Sequence, residues 1–271
     1  MTPEWTLQQV ESISHLRVVG SLGQGGMGNV FKAIDQNGYH LAVKIFHPDV
    51  VAAIADNEDI FADFQTAAQV QHPRLCQLKD FYRDDPITFV TMEYVHGKSL
   101  RAILKQKRQT PVKGGLQIAL DTIRGIAALH NVGLTHGDIR PVNILVLAKR
   151  SIKLIDYGIR YPAALCTSKA PKTKTYTGYM APEVWFGSAP TQSSDVYDLG
   201  ILVYHLLTGH KPRKDPNQSN IAPMRGFSKT VPLKLEALVL KALALKPQGR
   251  PASALEMLLC LESTSDLSGF D

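Results

Sequence analysis

Two short apolar runs, Ile144–Leu147 and Ile152–Ile155, flank a polar break at Ala148–Ser151. That pattern predicts a tight β-hairpin. In a hairpin, the residue before the first strand and the residue after the second lie side by side. Here those residues are Asn143 and Asp156. Two hard oxygen ligands at one end of a rigid hairpin suit Mg²⁺, which keeps some waters and takes its remaining ligands from phosphates. Asp138 lies on the same loop as Asn143, close enough to orient a hydroxyl beside such a metal.

A second feature lies near the start of the chain, where Arg17–Gly20 and Val30–Ile34 read as strands around Gly23-Gln24-Gly25-Gly26-Met27-Gly28. In a dinucleotide-binding fold such glycines open a helix. Here they are followed by alternating residues and a turn at Asp35–Gly38, so they join two strands. Glycines without Cβ let backbone N–H groups approach phosphates closely. Leu41–Phe46 then reads as a strand carrying Lys44, and Leu75–Phe81 with Ile87–Met92 complete a small sheet. Ile54–Val70 has helical spacing and ends before His72-Pro73.

Beyond this sheet the pattern turns helical. Helices are expected over Ser99–Arg108 and Leu116–Asn131, from Ser194 to Leu207, and over Leu233–Leu245 and Ala252–Leu261. Tyr161–Tyr179, rich in Lys, Thr, Ser, Pro and Ala, has no apolar period and reads as a loop. With 271 residues, 44% of them hydrophobic and 20% charged, the chain is long enough for one sizeable domain or two lobes. The net charge of +6 comes without a dense Lys/Arg run interleaved with aromatics, so nucleic acid is not an expected partner. Cys76, Cys166 and Cys260 lack metal-ligand spacing and fit reduced thiols in the cytoplasm. No apolar run reaches membrane-spanning length, and no signal peptide is visible.

The segment His136-x-Asp138-x-x-x-x-Asn143, followed by Asp156-Tyr157-Gly158, resembles the catalytic and metal-binding segments of eukaryotic-type (Hanks-type) Ser/Thr protein kinases. Small-molecule phosphotransferases of the aminoglycoside type share a His-Gly-Asp loop, but lack the activation segment closed by Ala181-Pro182-Glu183 and the late helices. The resemblance covers roughly residues 15–262. It implies an α+β bilobal fold with a β-rich N-lobe (15–95) and a helical C-lobe (96–264), flanked by an extension (1–14) and a tail (265–271).

By the same resemblance, ATP and Mg²⁺ are the cofactors, protein hydroxyls the substrate, and nucleotide lies between the lobes. Asp138 would accept the hydroxyl proton, Lys44 hold the α- and β-phosphates, Arg140 touch the γ-phosphate, and Asn143 and Asp156 hold the metal. The glycine segment Gly23–Gly28 with Val30, Ala42, Met92, Glu93, Val95 and Leu145 would surround the nucleotide, Met92 as gatekeeper and Glu93–Val95 as hinge. Asp63 aligns with the family's helix Glu that pairs with the strand lysine, while Asp59 sits one turn earlier on the same face. Asp195 would anchor the catalytic loop backbone, and Arg250 would pair with Glu183.

Several positions depart from the family pattern. Gly137 replaces Arg, Arg140 replaces Lys, Tyr157 replaces Phe, Tyr176 stands where a bracing Thr is usual, and Gly209–Pro232 is short and Pro-rich. The alternative to an active kinase is a nucleotide-binding scaffold with little transfer activity. The sequence gives no oligomeric state.

Overall fold

Strand β3, His40–Phe46, is buried at every position but His40 and lies in the middle of its sheet. The computed structural model describes residues 15–54, 58–84, 87–106, 112–158, 178–212 and 220–262. The chain divides into two compact units. One takes the described residues up to Gln71 together with Cys76–His96, and the other takes His72–Leu75 and the described residues from Gly97 onward. The expected extension 1–14, the tail 265–271, and all but the end of the Tyr161–Tyr179 loop (including Cys166, Tyr176 and Thr177) lie outside the described residues.

The first unit is an antiparallel sheet in the order β1-β2-β3-β5-β4, formed by β1 (Leu16–Gly25), β2 (Gly28–Asp35), β3, β4 (Leu78–Asp84) and β5 (Ile87–Glu93). Side chains alternate across a strand, and the sequence uses this strictly. Leu16, Phe31, Ala33, Leu41, Val43, Ile45, Ile87 and Phe89 form one core cluster. Residues paired across strands share a face, so the pairs Val30–Lys44, Lys44–Val90 and Ala42–Met92 gather on the opposite side. Two helices follow β3: α1 (Pro48–Ile54) and α2 (Glu58–Gln69). The sequence pattern predicts only one helix there. Pro48 supplies a favourable first-turn residue for α1, while Ile60, Phe64 and Ala67 bury the inner stripe of α2.

The glycine segment corrects the sequence expectation. The strands do not stop short of it; they run to Gly25 and restart at Gly28, leaving only Gly26 and Met27 in the turn. A Cβ at Gly28 would lie 2.0 Å from the Ile45 carbonyl oxygen. Close approach of β2 to β3 therefore requires glycine at that position. Gly23 and Gly26 face open space, so packing explains neither.

The second unit is helical around a small sheet of β6 (Lys98–Ser99), β7 (Ile144–Val146) and β8 (Ile152–Leu154). Its helices are α3 (Leu100–Gln106), α4 (Val112–Asn131), α5 (Pro182–Trp185), α6 (Gln192–Thr208), α7 (Leu233–Ala242) and α8 (Ala254–Glu262). Helix α6 is buried nearly all round, as its apolar sequence requires. Thr191 caps it in a reciprocal pair with Ser194. His72–Leu75 joins this unit because Leu75 bridges Leu154 and the Leu154 amide donates to the Arg74 carbonyl at 2.8 Å. Arg74 Nε also lies 2.9 Å from Asp121 Oδ1 on α4. In the Gly209–Pro232 stretch, the described residues show only a 3₁₀ turn at Met224–Gly226.

Candidate active site

The predicted hairpin forms, one residue shorter on each strand. Ile144 pairs with Leu154, and the Ile155 amide donates to the Asn143 carbonyl at 3.0 Å. Asn143 and Asp156 are thereby brought to the same hairpin end. Asp156 holds φ 62°, the left-handed region that a non-glycine residue adopts at a cost of about 1 kcal/mol. Such strain persists only where surrounding structure over-determines it.

Asp138, Arg140 and Asn143 form one polar group. Asn143 is buried, and its Nδ2 donates both to the Asp138 carbonyl at 2.9 Å and to Asp138 Oδ2 at 2.8 Å. Arg140 Nε sits 2.9 Å from each carboxylate oxygen of Asp138. The side chains of Asp138 and Arg140 are 34% and 45% exposed, so a ligand can reach this pair from solvent. With Nδ2 committed to Asp138, Oδ1 is the Asn143 atom left to ligate a metal. One amide oxygen and one carboxylate fit Mg²⁺ that draws its other ligands from phosphates and water.

The loop bearing Asp138 is fixed from below by α6. Asp195, fully buried, accepts from the His136 amide at 2.7 Å, the Gly137 amide at 2.9 Å and His130 Nε2 at 3.0 Å. Gly137 takes φ 73° to present that amide, a conformation glycine adopts without strain. His130 accepts from the Ala254 amide at Nδ1, so the neutral tautomer carrying hydrogen on Nε2 satisfies both bonds. Sequence reasoning did not single out His130; a lone histidine at a helix end carries no signal of this kind.

The segment closing at Ala181-Pro182-Glu183 is tied to α6 in several places. Arg250 donates to Glu183 Oε1 at 2.6 Å and to Oε2 at 2.8 Å, and also to the carbonyls of Ser193, Ala244 and Leu245. Burial alone would raise the Glu183 pKa, but the Arg250 and Ser194 hydrogen bonds outweigh it and hold the carboxyl below its ordinary range. The Tyr179 hydroxyl and His205 Nδ1 share a hydrogen bond. Burial, with Lys211 and His210 nearby, holds the His205 pKa down to about 4 and keeps the ring neutral.

Asp198, a turn beyond Asp195, is a group that the sequence did not flag. It accepts from the Ala181 amide, but Oδ1 has no hydrogen-bond partner among the described residues. Burial, then the negative charges of Asp195, Asp138 and Glu183, push its pKa well above the ordinary Asp range. The folded protein thus holds a proton that the unfolded chain releases above that range, and stability falls as pH rises until the folded group titrates. Asp198→Asn mimics the neutral acid. Its melting temperature relative to wild type should climb as pH rises above the ordinary Asp range, and parallel pH profiles for the two proteins would refute the assignment.

The first unit carries the remaining residues selected from sequence. Gly23, Gln24 and Gly25 end β1, Gly26 and Met27 make the turn, and Gly28 and Val30 begin β2. Ala42, Lys44 and Met92 are buried, whereas Glu93 and Val95 are half-buried at and just after the end of β5. Lys44 Nζ lies 6.0 Å from the Phe46 ring centroid. On α2, Asp63 is half-buried and Asp59 exposed, so Asp63 is the acid turned toward the protein. Leu145, half-buried on β7, belongs to the second unit with Asp138, Arg140, Asn143 and Asp156.

Comparison with known proteins gives a consistent picture. Residues 16–258 match the family model described as "Protein kinase domain". The chain is 32% identical over 258 residues to the serine/threonine-protein kinase PrkC of Bacillus subtilis, covering 89% of this chain and 39% of PrkC. It is 29% identical over 253 residues to PknB of Mycobacterium tuberculosis, covering 87% of this chain and 40% of PknB. A third relative, the probable kinase pknA2 of Bifidobacterium longum, is 30% identical over 207 residues, 74% of this chain and 27% of its own length. The chain thus spans between about a quarter and two fifths of these relatives. Among solved structures, the PknI kinase domain of M. tuberculosis superposes with a TM-score of 0.74 at 23% identity, covering 92% of this chain and 96% of that domain.

Proposed function

The chain belongs to the protein kinase domain family, and we propose that it transfers the γ-phosphoryl group of ATP to Ser or Thr hydroxyls of proteins. The observation that carries this reading is the Asp138 carboxylate, oriented by Asn143 and Arg140 beside the hairpin end that bears Asp156. The acceptor hydroxyl oxygen would bond to the γ-phosphorus as the bond to the β-phosphate oxygen breaks, with the hydroxyl proton passing to Asp138 and ADP leaving. Little covalent work falls to the protein, so positioning and charge account for most of the rate.

Lys44 and the glycine hairpin would hold phosphates, while Val30, Ala42, Met92, Glu93, Val95 and Leu145 would contact the nucleotide. Asp63 would steady Lys44. Asn143 Oδ1 and the Asp156 carboxylate would hold Mg²⁺, which when bound neutralises developing phosphate charge. Arg140 would reach the γ-phosphate from its place beside Asp138, with a planar fork rather than a point charge. Cys76 and Cys260 form no disulfide among the described residues, which suits a reducing cytoplasm.

Mg-ATP at a hundred times its Kd should stabilise the protein by about 2.7 kcal/mol, raising Tm by roughly 5–10 °C. Transfer of labelled phosphate to mixed proteins, read by phosphoamino-acid analysis, completes the test. A Tm unmoved at millimolar Mg-ATP would overturn the reading. Binding without transfer would instead favour a nucleotide-binding scaffold, the reading that the Arg140–Asp138 pair and the short Asp63 side chain keep in view.

A further inference from the structure

The tip of the glycine hairpin presents a physical difficulty. Gly26 and Met27 form the turn, and neither Gly23 nor Gly26 has packing neighbours where a side chain would be. A hairpin end so poor in side chains has little of its own to hold it in one place, yet phosphate binding needs amides that are already positioned.

His47 supplies the missing constraint. It follows β3 directly, three residues after Lys44. Its backbone amide donates to the Met27 carbonyl at 3.0 Å, and its ring Nε2 donates to the Gly25 carbonyl, also at 3.0 Å. These two carbonyls bracket Gly26 at the tip. The His47 carbonyl in turn accepts the Val50 and Val51 amides at 2.9 and 3.0 Å, fixing the start of α1. The residue is only 8% exposed, so water does not compete well for these bonds. Nδ1 is buried without a hydrogen-bond partner among the described residues. An imidazole whose only hydrogen-bonding nitrogen faces Gly25 is placed there for that bond.

We propose that His47 is a positioning residue that latches the glycine hairpin to the lysine strand, so that the tip amides and Lys44 meet the nucleotide phosphates as one preformed unit. This rests on the ATP-dependent transfer proposed above. The backbone half of the latch belongs to any residue at this position, whereas the ring half needs a donor of suitable reach. Glutamine retains a donor at similar distance; leucine fills similar space without one.

The test compares wild type, His47→Gln and His47→Leu in steady-state kinetics with ATP, alongside amide hydrogen exchange of the nucleotide-free proteins by NMR. Losing one buried hydrogen bond should raise KM for ATP about fivefold in His47→Leu, leave kcat within about twofold, and return to near the wild-type KM in His47→Gln. In nucleotide-free wild type, the His47 amide should exchange as slowly as the β3 amides. Equal KM in wild type and a folded His47→Leu, or an equal rise in both variants, would overturn the latch. So would a His47 amide that exchanges as fast as the turn, a result that stands even if His47→Leu does not fold. Wild type without ATP-dependent transfer or binding overturns the proposed function instead, while the exchange measurement still decides the latch.

Discussion

Asp138→Ala should lower kcat for protein phosphorylation by about a thousandfold, roughly 4 kcal/mol of barrier, with Mg-ATP affinity within a few fold of wild type. In the proposed transfer Asp138 would address the acceptor hydroxyl, and its hydrogen-bond partners are Asn143 and Arg140. Removing the carboxylate leaves Asn143 Oδ1 free to ligate, although Nδ2 keeps only its bond to the Asp138 backbone carbonyl. Asp156→Ala separates the two functions, because it should weaken metal-dependent nucleotide binding as well as transfer. Single-turnover transfer and equilibrium nucleotide titration on the same preparations read both quantities. Near wild-type turnover in Asp138→Ala would show that another group takes the proton.

Arg250→Ala should destabilise the second unit strongly. Its guanidinium is matched to five acceptor oxygens, two on Glu183 and three backbone carbonyls. Deleting one partner of a buried pair costs about 3–5 kcal/mol, a fall in Tm of roughly 6–20 °C for a chain of this size. Because the Glu183 pKa is depressed in the folded protein, the pair contributes fully above the ordinary Glu range and is lost as pH falls through the folded value. The Tm gap between wild type and Arg250→Ala should therefore narrow on acidification. Glu183→Gln combined with Arg250→Met should recover part of the loss, since it removes both members of the pair. A fall below about 2 °C in Arg250→Ala would mean that the bridge is not structural.

What the sequence made legible is what depends on short-range pattern. Short apolar runs around a polar break placed the Asn143–Asp156 hairpin end, whereas the face that Lys44 shares with Val30, Ala42 and Met92 follows from the strand register. Strand ends at Gly25 and Gly28 were not legible, because glycine weakens a strand taken alone and cross-strand pairing overrides that preference. Residues acting through distant backbone escaped as well. His47 works on the carbonyls of Gly25 and Met27, and His130 on the amide of Ala254, so no side-chain motif announces either. Asp198 reads as an ordinary helix acid until Asp195, Asp138, Glu183 and the Ala181 amide are assembled around it. The family resemblance supplied Asp195 and the Arg250–Glu183 pair, which composition and period alone could not.

The anchoring of the Asp138 loop also bears on the order in which the protein is made. The carboxylate that shapes His136 and Gly137 sits 59 and 58 residues later in the chain, and the Ala254 amide that holds His130 follows it by 124. At a ribosomal rate of about 5–20 residues per second, the loop is synthesised some 3–12 s before its α6 anchor exists. The β-sheet of the first unit, complete by Glu93, has no such wait within its own ladder. During translation, then, the β-sheet unit should be shaped first, and the nascent chain should acquire a formed Asp138 loop only after α6 has emerged.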